Sequence, residues 1–157
     1  MSFDPNDYKL VPQRWFDDFK QGERFPGNSH TVTESHFTAF RGMTGDNHPI
    51  HYDIEYCKAH GHPGLLAHGL QVLAYTAAGA GLSPHAFGDA LVAFIEVSAR
   101  FLKGVYPGDT MYPLLEIVEL KPQRTTGVIV MRATLHNQKG ELVLEGTHRL
   151  LVKKRPH

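Results

Sequence analysis

Residues 69–82 read GLQVLAYTAAGAGL, and this stretch decides the fold. It carries no charged side chain, so the pattern predicts one long helix that is apolar all round and therefore buried in protein. Many of its side chains are small: Ala74, Ala77, Ala78, Gly79 and Ala80. Glycine weakens a helix, so this composition points to another layer approaching closely. Downstream the apolar period changes to two. In LVAFIEVSARFL (91–102), Ala93, Ile95, Val97, Ala99 and Phe101 point one way and Glu96, Ser98 and Arg100 the other. YPGDT (106–110) suits a type II turn, with Pro107 and Gly108 at its centre. MYPLLEIVEL (111–120), GVIVMRATLHN (127–137) and ELVLEGTHRLLVKK (141–154) read as further strands, the last two joined by a short hairpin turn, QKG. The expected fold class is α+β: a curved antiparallel sheet wrapped around one long central helix.

Upstream, Thr33 is placed to cap a helix that carries Phe37 and Phe40 on one face and ends at Gly42 or Gly45. Asp53 is placed to cap a short helix, IEYCKAHG (54–61). Residues 1–28 read as an N-terminal arm, mostly irregular, in which RWFDDF (14–19) packs as an arm or short helix. No linker, repeat or low-complexity run interrupts residues 1–157, so a single domain is expected.

Lys plus Arg balances Asp plus Glu at 16 each, which gives no electrostatic reason to expect nucleic acid or an anionic membrane as partner. The single cysteine, Cys57, allows no intrachain disulfide and no thiolate metal cluster. The N-terminus shows neither a basic start nor an apolar run, so a cytoplasmic location is expected.

Histidine is over-represented, at 11 of 157 residues, and His48, His51, His60, His62 and His68 crowd into one segment. Asp46 and His51 flank Pro49 within MTGDNHPIHYD (43–53). At pH 7 an aspartate (pKa ~3.9) is ionised and a histidine (pKa ~6.5) mostly neutral. Such a pair can grip one water, remove a proton and return one, as hydration of a polarised double bond requires. The competing reading is an aspartate that caps helix 54–60 and a histidine that satisfies it. His68-Gly69 opens the apolar helix. The Gly69 N–H there either meets a carbonyl oxygen that becomes negative, or Gly69 is present only for packing. A metal centre is not expected: His48 and His51 flank a proline, and no helical His-Glu-x-x-His spacing occurs.

GDNHPIHYD (45–53) resembles the signature of the MaoC-like, (R)-specific enoyl-CoA hydratase family. The resemblance continues through TVTESHFTAFRGMTGDNHPIHYD (31–53), LLAHGLQVLAYTA (65–77) and ARFLKGVYPGDTMYPLLEI (99–117). It implies the hot-dog fold and reversible addition of water to a trans-2-enoyl thioester of CoA or acyl carrier protein. On this resemblance Asp46 and His51 fall on the catalytic pair and Gly69 on the backbone donor to the thioester carbonyl. His48, His68, Thr76 and Ala77 fall on the substrate site. His48 stands where the family has asparagine, and Ala77 where some members have serine, with Thr76 beside it. No cofactor is implied, because the thioester is the substrate; a homodimer or dimer of dimers is. Two alternatives share the fold: an acyl-CoA thioesterase, disfavoured because 69–82 lacks a carboxylate, and a non-catalytic acyl-CoA binder.

Overall fold

The computed structural model describes residues 4–77 and 81–156. Six strands form one antiparallel sheet: β1 (Arg24–Pro26), β2 (His30–Thr31), β3 (Leu91–Phe101), β4 (Thr110–Pro122), β5 (Thr126–His136) and β6 (Leu142–Lys153). The order is β1-β4-β5-β6-β3, and β2 also pairs with β4. Among the described residues four α-helices accompany it: α1 (Glu34–Thr44), α2 (Ile54–Ala59), α3 (Gly69–Ala74) and α4 (Ser83–Phe87). Among the described residues no helix is long and apolar enough to cross a membrane.

The meander forms as its alternation predicts. Ile129, Met131, Ala133 and Leu135 of β5 are all fully buried on one face. Tyr106 to Asp109 close a turn in which Gly108 takes φ +96°, and the Asp109 N–H donates to the Tyr106 carbonyl. That positive φ at the third position is what a type II turn demands of glycine. One apolar cluster joins Phe16, Phe19 and Phe87 to Ile117, Ile129, Met131 and Leu150. A second, below α3, joins Val72, Phe37 and Val105 to Met111, Leu135 and Leu144.

Two expectations need correction. The helix expected over 69–82 ends at Ala74. The Thr76 and Ala77 N–H groups donate to Leu73 and Ala74, three residues back, and the Thr76 hydroxyl also donates to the Leu73 carbonyl at 2.7 Å. A threonine that bonds a carbonyl in the preceding turn competes with the helical ladder, and the last turn tightens. Ala78, Gly79 and Ala80 lie outside the described residues. Nor is the helix buried all round: Gln71 and Val72 are buried, whereas Leu70 is 67 % exposed. Second, β3 does not alternate throughout. Its pairing with β6 slips between Phe94 and Glu96, so Phe94 and Val97, three apart, line the same cavity. A bulge shifts the side-chain period in this way. The arm, over its described residues 4–28, is mostly irregular as expected, with the short helix falling at 16–18. Phe16–Asp18 form a 3-10 turn whose Phe16 enters the core, and Arg24–Pro26 pair with Leu114–Glu116.

Candidate active site

The 45–53 loop is fixed at both ends. α1 begins at Thr33, whose N–H donates to the His36 Nδ1 at 2.9 Å, a reciprocal cap in which histidine replaces the usual Glu or Gln. It ends at Gly45, which adopts φ +74° and turns the chain toward Asp46. His48 is extended (ψ 133°), as the residue before proline must be, and Pro49–His51 form a 3-10 turn. At the far end Asp53 Oδ1 accepts from the Glu55 and Tyr56 N–H groups, each at 3.0 Å, and caps α2. The cap therefore falls to Asp53. Asp46 is exposed and its carboxylate is not spent on a helix end.

His51 is half-buried, and its Nδ1–H donates to the Leu66 carbonyl at 2.6 Å. That bond fixes the tautomer: a neutral ring holds its proton on Nδ1 and leaves the Nε2 lone pair free. Burial, above all, holds the His51 pKa below the usual histidine value. The Leu66 bond and the Asp46 charge oppose this, and His68 and His48 add to it. Near neutral pH His51 is thus a base with one free nitrogen.

His68 is buried and stacks on His51, with ring centroids 3.8 Å apart and planes at 24°. Its Nε2 lies 3.2 Å from the backbone carbonyl of Asp46, and its Nδ1 3.0 Å from the Gln71 amide, which is 2.6 Å from the Tyr75 hydroxyl. A carbonyl can only accept, so Nε2–H is the donor to Asp46. Nδ1 faces Gln71 Oε1, and the Gln71 Nε2–H donates to the Tyr75 hydroxyl. His68 therefore holds the backbone of the residue that bears the carboxylate.

Asp46, His51 and His68 each place a side-chain donor atom within 4.8 Å of the others. Both nitrogens of His68 are engaged in hydrogen bonds. The cluster therefore offers a metal two free ligands, the Asp46 carboxylate and His51 Nε2, where a zinc site takes at least three from protein.

His51 opens on a cleft of about 360 Å³ between α3 and the segment 101–105, and Gly69 lines the same cleft. Its upper wall is the Phe101 ring, 3.5 Å from where a Cβ on Gly69 would sit. A smaller recess of about 130 Å³ reaches His51 and His68 from the other side, beside Arg41 and Glu34. Of the expected catalytic residues, Asp46 is exposed and lies beside His51, and His51 shares its cleft with Gly69. Of the expected substrate residues, His68 is at the centre. His48 is exposed and its Nδ1 accepts from the Ile50 N–H at 3.3 Å. Thr76 and Ala77 lie further along, beside a second, apolar cavity of about 310 Å³ lined by Ala77 and His148. The Thr76 oxygen accepts from His148 Nε2 at 3.1 Å.

Sequence reasoning missed Gln71, Tyr75 and His148. Each left a signal. Gln71 is a lone amide in an apolar helix. His148 sits on the inward side of β6, with Leu144, Leu150 and Val152, where every other large residue is apolar.

A family model described as "MaoC like domain" matches residues 19–139. An uncharacterized protein, YdeM, from Bacillus subtilis is 29% identical over 140 residues, covering 88% of this chain and 98% of its own length. The (R)-specific enoyl-CoA hydratase of Rhodospirillum rubrum is 25% identical over 141 residues, covering 90% and 93%. Among solved structures, the monoamine oxidase regulatory protein of Archaeoglobus fulgidus superposes with a TM-score of 0.88 at 29% identity, over 95% of this chain and all of that one. The architecture is the hot-dog fold.

Proposed function

The chain belongs to the MaoC-like domain family, and on that premise we propose that it is a hydro-lyase, adding water reversibly to a trans-2-enoyl thioester to give a 3-hydroxyacyl thioester. The observation that carries this reading is the convergence of the Asp46 carboxylate and a ring nitrogen of His51 within 4.8 Å, with His51 on a cleft that Gly69 shares. The hydratase of Rhodospirillum rubrum supports it, as a relative whose name states this reaction.

The steps follow from the geometry. One water sits between Asp46 and His51. His51 Nε2 takes a proton as the water oxygen bonds to C3. The double-bond electrons move to the thioester oxygen, which accepts a hydrogen bond from the Gly69 N–H at the free end of α3. The enolate then collapses and C2 takes a proton from the imidazolium, so one water has been added in sum. Asp46 steadies the imidazolium between the two transfers. The acidity comes from the thioester, carried on CoA or on acyl carrier protein, and no further cofactor enters the scheme.

The same proposal includes a homodimer in the cytoplasm. β3 is an edge strand of 11 residues on which Leu91, Val92, Phe94, Ile95, Val97 and Phe101 are 40–51% exposed. A long apolar edge invites pairing, and a second copy of the chain covers it. Purified protein given crotonyl-CoA tests the reaction: enoyl absorbance falls and no thiol is released. Thiol release would instead make the protein a thioesterase, and no change in either would make it a binder.

A further inference from the structure

The cavity beyond Gly69 contains a polar group that the hydration scheme does not use. Its walls are apolar: Leu73 and Ala77 from the α3 segment, Phe94 and Val97 from β3, Leu150 from β6. Among them stands His148, 2 % exposed, and its Nδ1 has no hydrogen-bond partner among the described residues. An unpaired buried polar atom weakens a fold, so its presence calls for a reason.

The neighbours of His148 settle which kind of atom Nδ1 is. The Thr76 hydroxyl donates its only proton to the Leu73 carbonyl at 2.7 Å. The Thr76 oxygen can then only accept from His148, and does so from Nε2–H at 3.1 Å. Burial lowers the His148 pKa and keeps the ring neutral at neutral pH. A neutral ring protonated on Nε2 carries a bare lone pair on Nδ1, so its missing partner is a donor.

The cavity lies further along the same helix and strand that wall the cleft at His51. The cleft at His51 is bounded by Gly69 and Val72 of α3 and by Phe101; the cavity is bounded by Leu73 and Ala74 of the same helix and by Val97 and Phe94 of the same strand. From Gly69 to Ala74 a helix advances ~8 Å, and from Phe101 to Val97 a strand advances ~13 Å. A thioester held at Gly69 therefore sends the far half of a medium-length chain toward His148.

We propose that His148 makes this a site for acyl chains bearing a distal hydroxyl, which donates to Nδ1 once the ring of Phe94 swings aside. Phe94 stands T-shaped against the imidazole at 5.2 Å and lines the same cavity, so a rotamer change that moves its ring opens the imidazole to the chain. The inference rests on the thioester reading of the site and narrows its substrate. A distal carboxylate, which can only accept, meets a lone pair and is disfavoured; a plain alkyl chain fills the apolar walls and leaves Nδ1 unpaired.

The test compares hydration of trans-oct-2-enoyl-CoA with its ω-hydroxy and ω-carboxy analogues by the wild type, His148→Leu and Thr76→Val. The wild type should favour the hydroxy over the plain substrate in kcat/KM by about tenfold, the worth of one good hydrogen bond, and handle the carboxylate worst. His148→Leu should bring the hydroxy-to-plain ratio to one or below. Thr76→Val, which removes the partner that fixes the tautomer, should shrink the ratio. Equal use of the plain and hydroxy chains by wild type and His148→Leu overturns the inference and leaves the hydratase reading standing. Failure to hydrate any of the three sinks the hydratase reading instead. In that event, or if His148→Leu does not fold, 15N NMR of the wild type with saturated ω-hydroxyoctanoyl-CoA decides. A shift at His148 Nδ1 supports the site, and an unmoved signal rejects it.

Discussion

Gly69→Ala separates stability from chemistry at a single atom. A Cβ built on Gly69 comes 3.5 Å from the nearest carbon of Phe101, an ordinary contact that needs no rearrangement, and the backbone there is not in the left-handed region. Alanine in place of glycine in a helix contributes up to ~1 kcal/mol, so the variant should unfold at the same temperature as the wild type or higher. The methyl group nevertheless enters the cleft beside His51, on the residue whose N–H we propose meets the thioester oxygen. Alanine keeps the N–H, but a methyl that pushes the carbonyl off it forfeits that bond, and one such bond is worth ~2.7–4 kcal/mol in the transition state, or roughly 10²–10³ in rate. Displacing the reacting carbonyl by ~1 Å has an effect of similar size. The assay pairs thermal unfolding with the loss of enoyl absorbance from crotonyl-CoA. A stable variant with a rate at least a hundredfold lower is expected. A rate within about threefold of wild type would show that the carbonyl does not sit at Gly69.

Other outcomes follow from the same geometry. Asp53→Ala should cost ~1 kcal/mol by removing the cap of α2, seen as a lower urea midpoint, and should leave turnover per folded molecule largely intact. Because burial depresses the pKa of His51, the neutral base persists below pH 6.5, and kcat/KM for crotonyl-CoA should hold its plateau past that point before falling. His51 and His148 both have folded pKa values below their unfolded ones, so their contribution to stability is complete above about pH 6.5 and is lost as pH falls through the folded values. Urea midpoints measured from pH 8 to pH 5 should decline on the acid side, and less steeply in His148→Leu. Ile95→Lys places a charge on the exposed edge of β3; light scattering should show a dimeric wild type and a monomeric variant, and a monomeric wild type would remove the dimer from the account.

Local chemistry made much of this structure legible. Thr33, Gly45, Asp53 and Gly108 act where their side chains or backbone freedom require, because caps and turns are decided by a few adjacent residues. The burial of Ile129 through Leu135 follows from strict alternation on a central strand. The features that escaped depend on partners distant in sequence. α3 stops short where Thr76, anchored by His148 from 72 residues away, turns its hydroxyl on the Leu73 carbonyl. β1 and β2, three and two residues long, are too short to show a period and exist only because β4 is there to pair with them. The bulge at Ile95 inverts half of β3, which no alternation pattern within that strand reveals. At the site, the spacing of Asp46 and His51 was visible, whereas the bond from His68 to the Asp46 carbonyl and the Leu66 bond that selects the His51 tautomer were not. Backbone acceptors carry no mark in a sequence.

The central claim is that Asp46 and His51 share one water facing an enoyl thioester. Crotonyl-CoA hydration by Asp46→Asn and His51→Ala, each checked for an unchanged urea midpoint, tests it most directly. Each substitution should lower kcat by at least about a hundredfold, the usual worth of a positioned acid or base. Wild-type rates in both variants would contradict it.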